Sequence, residues 1–137
     1  MNETARLKWF WVVLLVAVLY LVAGLVSAAL ARNAGSAQTR EVWRLAAWVI
    51  SAVAFAAHIW YEHVGLRSTP RITAFHAALA VGLAGFGLAV SASLHGRATS
   101  HPFPATALLI WPVLTAVPAF VVALVAAVVL TRARRNA

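Results

Sequence analysis

Cysteine is absent from the sequence, and charged residues make up only 10% of it, with three acidic side chains in the whole chain. The absence of cysteine excludes disulfides, thiolate metal sites and cysteine nucleophiles. A soluble domain carries roughly 25% charged residues. A chain of 137 residues that is 64% hydrophobic cannot hide those side chains inside a globule of its own size. Its natural solvent is therefore lipid.

The short motifs of catalysis and nucleotide binding are also missing. There is no nucleophile elbow, glycine-rich phosphate loop, zincin helix or dinucleotide fingerprint. Ser91 and Ser93 have no acid–base set nearby that would activate a hydroxyl. An enzyme is therefore the less favoured interpretation.

Four hydrophobic runs are long enough to span a membrane, at about residues 9–31, 45–65, 72–94 and 105–131. A bilayer core of ~30 Å needs about 20 helical residues, which each run supplies. The connections between them are too short to fold alone. The sequence thus predicts one all-α domain over residues 1–137, a four-transmembrane-helix bundle with short loops.

A signal peptide is the alternative interpretation of the first run, because Arg6 and Lys8 precede it and "SAALA" stands before Arg32. A signal peptide has an apolar core of about 7–15 residues. The first run is longer, so we expect it to be retained as a membrane helix.

The net charge of +8 gives no indication of a nucleic-acid partner. The basic residues lie at the ends of hydrophobic runs, as membrane-flanking charges do, and they form no continuous stripe. Arginine and lysine are in excess on the membrane side that carries the two termini and the second connection, which predicts that both termini lie in the cytoplasm. That side carries Arg6, Lys8, Arg67, Arg71, Arg132, Arg134 and Arg135, and the other carries Arg32, Arg40, Arg44 and Arg97. The alanine- and arginine-rich composition, nearly without lysine, indicates a bacterial plasma (inner) membrane.

Small residues on the third run, Ala78, Gly82 and Gly85, form a face on which helix backbones can approach closely. This face is either packed within the monomer, which we favour, or a seam between copies of the chain. In the fourth run, Pro112 and Pro118 predict a kinked helix.

Proline disturbs backbone bonding to the carbonyls at Leu108 and Leu114, four residues before each ring. Thr115 stands between the two prolines, and we expect its hydroxyl to satisfy part of the freed backbone.

The second run ends in "HIWYEH", residues 58–63, which places two histidines and a carboxylate in a segment otherwise built for hydrocarbon. Residues at multiples of about one helical turn share a face, so Ser51, His58 and Glu62 form one stripe. His63 points elsewhere, nearer the membrane interface.

The helical rise predicts which side chains meet across the short second connection. Glu62 lies five residues before Arg67, and His76 lies five residues after Arg71. At 1.5 Å per residue both are roughly 7–8 Å inside their flanking charges. We therefore expect Glu62 and His76 at matching depth near the cytoplasmic side, with His58 about one turn deeper.

Three chemistries suit this group. Histidine titrates near neutrality, so the cluster can relay a proton or cation. His58, Glu62 and His76 can also serve as ligands of zinc or iron. A b-type haem would take His58 and His76 as axial ligands. The expected difference in depth between these two histidines, roughly 6 Å, disfavours this interpretation.

Other interpretations stay open. Glu62 and His63 can instead close the helix among lipid headgroups, and His58 and His76 can be neutral and bonded to neighbouring helices. A lipid or quinone can bind between helices near Trp60 and Trp111. His95 and His101 lie in the opposite loop, where solvated histidines are the simpler interpretation.

The function predicted from sequence is a small integral membrane protein that handles a proton or cation at Ser51, His58, Glu62 and His76. Its partners are the lipid bilayer and either further copies of the chain or other membrane subunits. The alternatives are an assembly subunit without its own chemistry and, third, a haem- or metal-carrying electron-transfer subunit.

Overall fold

Four helices make up the fold of the chain, as a computed structural model describes it for residues 3–98 and 106–136. They are α1 (Glu3–Arg32), α2 (Ala37–Val64), α3 (Pro70–Ala98) and α4 (Ala107–Arg135), and these described ranges contain no strand. Each helix is long and apolar enough to cross a membrane. The predicted four-helix transmembrane bundle is confirmed. Because each helix is longer than the ~30 Å hydrocarbon core requires, its ends extend into the interfaces.

The start of α2 corrects the predicted first connection, which covered about residues 32–44. In the structure, the helix begins at Ala37, because Ser36 caps it by accepting a hydrogen bond from the backbone N–H of Thr39 at 3.1 Å. Arg44 and Glu41 then form an ion pair of 2.9 Å on the exposed surface of the first turns. Charged side chains end a membrane span without ending a helix, since they are good helix formers in water.

The third helix occupies the centre of the arrangement. It packs most extensively against α4, also contacts α1, and meets α2 over a shorter length, whereas α1 and α4 do not touch within the described residues. The bundle has two ends, the termini end and the loop end. The termini end carries the start of α1, the end of α4 and the connection 65–69, and the loop end carries the connection 33–36.

Close packing of α3 on α4 depends on the small residues predicted for this face. A Cβ atom placed on Gly82 would lie 3.3 Å from Ala116 Cβ, and one placed on Gly85 would lie 2.6 Å from Thr115 Oγ1. Ala78 on the same helix is buried. The structure therefore uses this face for packing within one chain.

The fourth helix continues through Pro112 and Pro118 without interruption. Thr115 donates from its hydroxyl to the carbonyls of Trp111 and Pro112, at 3.1 and 3.0 Å. The expectation that it satisfies the carbonyls freed by the prolines is therefore wrong. A threonine hydroxyl in a helix reaches only carbonyls three or four residues back, which excludes Leu108 and Leu114.

Large apolar side chains cover the outside of the bundle. Trp48, Leu109 and Leu15 are exposed over 76%, 75% and 68% of their surfaces. In water such a surface would drive aggregation, whereas in hydrocarbon it is the solvated state. The exposed surface thus agrees with a multi-pass membrane protein.

The tight α3–α4 contact gives a first prediction. Gly85→Ala should lower stability by about 1–3 kcal/mol, because its methyl group would displace a hydroxyl held by two carbonyls. Thermal unfolding in detergent measures the effect. The double variant Gly85→Ala/Thr115→Ala removes the clashing oxygen and should recover most of the loss.

Gly35→Ala is the matched control, because nothing lies within 4 Å of a Cβ at that position. It should unfold at the wild-type temperature. An unchanged unfolding temperature for Gly85→Ala would mean that α3 and α4 are less closely packed than described here.

Candidate functional site in the buried histidine–glutamate cluster

The connection between α2 and α3 positions the cluster. Gly65 N–H donates to Tyr61 O at 2.8 Å, and Ser68 N–H donates to Glu62 O at 3.0 Å. Arg67 adopts a left-handed φ of 50°, which reverses the chain within the connection. Pro70 then opens α3 at a position where its missing N–H leaves no bond unmade. The last turn of α2 is thereby held beside the first turns of α3.

Glu62 is the centre of the site, with no exposed surface. Its Oε1 lies 2.8 Å from His76 Nδ1, on α3, and 3.8 Å from His58 Nε2, one turn away on α2. The two histidines are 8% and 3% exposed, respectively. The structure therefore brings Glu62 and His76 together at one level, with His58 one turn away on α2, as the helical rise predicts.

Several polar atoms of the cluster have no hydrogen-bond partner within the described residues. Glu62 Oε2 and both ring nitrogens of His58 are buried and have no hydrogen-bond partner in the described part of the chain. The distance from His58 Nε2 to Glu62 Oε1 is 3.8 Å. The hydroxyl of Thr73, one turn before His76 on α3, is likewise buried and unpartnered. Because native interiors pair most buried polar atoms, these sites have unused capacity to hold a proton, a water or a small polar ligand.

Trp9 is a member of the site that sequence reasoning missed. Its ring stacks on the His76 imidazole with centroids 4.6 Å apart and planes 5° from parallel. No spacing in the sequence connects α1 to α3 at this level. The stack covers one face of the imidazole and leaves the Glu62 contact at its edge.

The remaining predicted residues lie elsewhere. Ser51 is eleven residues from Glu62, roughly 16 Å along α2, and lines a cavity between the helices together with Trp111. Trp60 is 59% exposed on the outside. His95 is exposed on α3, and His101 lies outside the described residues.

The geometry does not fit the metal and haem alternatives. Among the described residues, no set of three or more histidine, aspartate or glutamate side chains converges closely enough to hold a metal ion. A bis-histidine haem needs both imidazoles to face one iron with nothing between them. Here Glu62 Oε1 is 2.8 Å from His76 Nδ1 and 3.8 Å from His58 Nε2, so one nitrogen of each imidazole already faces the carboxylate.

No family model, curated protein or solved structure matches the chain. The class of protein is therefore defined by its own structure, a multi-pass four-helix membrane bundle with a buried histidine–glutamate cluster at one end.

The stacked ring gives a second prediction. Trp9→Leu should destabilise the protein by about 1 kcal/mol more than its loss of buried area implies, because an aromatic pair adds roughly 0.5–1.5 kcal/mol. Trp11→Leu is the matched control, since Trp11 is 59% exposed two residues away on the same helix. Thermal unfolding of the two variants in detergent measures the difference. Equal unfolding temperatures would contradict the stack on His76.

Proposed function

We propose that this protein holds and transfers a proton at His58, Glu62 and His76, as a homo-oligomer or as a subunit of a larger membrane complex. The observation that carries the proposal is a fully buried carboxylate that contacts one imidazole at 2.8 Å and faces a second at 3.8 Å, with its other oxygen unpartnered among the described residues. Ionisable groups at such depth are costly, and they mark proton pathways in membrane proteins.

Counting protons explains how the cluster can work. The contact between His76 Nδ1 and Glu62 Oε1 needs one proton, carried either by the ring nitrogen or by the carboxyl oxygen. When Nε2 of His76 also has a proton, the two states are an imidazolium beside a carboxylate and a neutral imidazole beside a carboxylic acid. Both states are neutral overall, so passing the proton across this contact leaves no net charge in the low-dielectric interior.

His58 supplies the next step of the relay. Its two ring nitrogens have no hydrogen-bond partner within the described residues, and Nε2 is 3.8 Å from Glu62 Oε1. A small side-chain rotation or one bridging water closes this gap to hydrogen-bond length. His58 lies about one turn deeper than Glu62, so the transfer moves the proton toward the middle of the bundle.

The need for a second copy or another subunit follows from what lies beyond the cluster. On its membrane-centre side, α1 and α3 form an apolar core, and a cavity lined mostly by apolar side chains adjoins this core. The hydrophobic runs carry no further histidine, aspartate or glutamate deeper than His58, so a relay that ends there needs a second copy or another subunit to continue. The members of this apolar core are Val13, Val16, Ala17, Tyr20, Ala80 and Ala84. If both termini are cytoplasmic, as the charge distribution predicts, the cluster exchanges protons with the cytoplasm.

The third prediction concerns proton movement across a membrane. Glu62→Gln should reduce proton flux on the order of a hundredfold, because an amide can accept the His76 bond but cannot take up a proton. The assay uses proteoliposomes that contain a pH-sensitive dye and carry an imposed potential. Glu41→Gln is the matched control, a carboxylate on the same helix with 61% of its side chain exposed, and it should keep wild-type flux.

A second readout covers the case in which flux requires a partner. Infrared difference spectra between high and low pH should show a carboxylic-acid C=O band that disappears in Glu62→Gln and persists in Glu41→Gln. Unchanged spectra and unchanged flux in a folded Glu62→Gln variant would exclude the relay. That result would leave the assembly subunit as the function, for which the histidines are replaceable and the small-residue face of α3 is not.

A further inference from the structure

A concave site with three arginines lies at the loop end of the bundle, far from the histidine–glutamate cluster. It has a volume of about 590 Å³ between the end of α1 and the start of α2. Arg32 reaches it from α1, and Arg40 and Arg44 reach it from neighbouring turns of α2. The function proposed above uses none of these residues.

The charge of this site selects an anion. The three guanidinium groups are opposed by one carboxylate, Glu41, which pairs with Arg44 at 2.9 Å. Both side chains of that pair are more than 60% exposed, so water and competing anions reach the contact readily. Arginine presents several donors in a planar fork that matches phosphate oxygens, and three such groups favour phosphate over a neutral headgroup.

An apolar cavity continues from this site into the bundle. It has a volume of about 470 Å³, and all four helices contribute to its walls. Gly24, Ala47 and Trp48 line both spaces, so the arginine site and the apolar cavity share a boundary. Phe55 and Leu88 are among the apolar side chains that line it. The size falls within the roughly 300–1,000 Å³ usual for small-molecule sites.

We infer that the two spaces together bind one lipid with an anionic phosphate headgroup, its phosphate at Arg32, Arg40 and Arg44 and part of its chain between the four helices. A free phosphate ion would bind the arginines but would not account for the adjoining apolar cavity. An ordinary boundary lipid would lie against the outer surface, whereas here the chain enters between helices at Ala47.

This assignment also accounts for the arginines on the side of the membrane that carries fewer basic residues. Arg32, Arg40 and Arg44 make up three of the four there. As ligands of a bound phosphate they would be retained on that side for binding.

The test measures lipid binding by the purified, delipidated full chain in detergent with native mass spectrometry. Phosphatidylglycerol, phosphatidylcholine and inorganic phosphate are titrated separately. Phosphatidylglycerol should bind as one copy and more tightly than phosphatidylcholine. Arg40→Gln/Arg44→Gln should weaken its binding on the order of twenty-fivefold, from roughly fivefold for each arginine. Ala47→Phe should also weaken it, because the larger side chain fills the junction of the two spaces.

Arg132→Gln/Arg134→Gln is the matched control, since it removes the same charge from the termini end and should bind phosphatidylglycerol as the wild type does. Helix content measured by circular dichroism checks that every variant is folded. Equal affinity for the two lipids, or equal loss in both arginine variants, would overturn the site. Displacement of phosphatidylglycerol by inorganic phosphate, or wild-type affinity in a folded Ala47→Phe variant, would overturn the lipid assignment.

Discussion

A bilayer core supplies no hydrogen-bond partners, so each polar group that enters it must find one inside the protein, and this requirement shapes the whole molecule. The backbone meets it with four helices. The side chains meet it by being apolar, with few exceptions. Glu62 is the exception with the largest cost, since it is a carboxylate with no exposed surface. Its contact with His76 Nδ1 at 2.8 Å keeps one carboxylate oxygen paired inside the bundle.

The central position of α3 follows from the same requirement. In hydrocarbon, helices gain little from covering apolar surface and associate through close packing, which small residues allow. Gly82 and Gly85 let α3 approach α4, and buried Ala80 and Ala84 belong to its core with α1. Because α3 is held on two sides, His76 has a fixed position, and Trp9 stacked on its face restricts the imidazole further.

The second helix connects the two ends of the molecule. It carries His58 and Glu62 at the termini end and Arg40 and Arg44 at the loop end. It is also the helix that α3 contacts over the shorter length, which leaves space beside it for the apolar cavity. The two candidate sites thus differ in solvent and in chemistry. One is a buried cluster of titratable side chains, and the other is an arginine-lined opening at the loop end.

The sequence by itself determined the number of helices, their order and which titratable side chains meet across the second connection. These properties depend on the run length, the helical rise and the shortness of the second connection, all of which are local. His58 and Glu62 are one turn apart on one helix, and the connection brings His76 to the same level. The start of α2 was predicted too late, because charge marks the membrane boundary and the Ser36 cap marks the helix boundary.

Only the tertiary structure decided which faces of separate helices meet. The stack of Trp9 on His76, the close approach of Gly85 to Thr115 and the cavity that Ser51 lines with residues of the other three helices all depend on the rotation of one helix against another. Periodicity gives each helix a face but gives no partner for it. Nearly every face of this chain is apolar, and hydrocarbon does not distinguish one apolar face from another. The choice is therefore made by steric fit among all four helices at once.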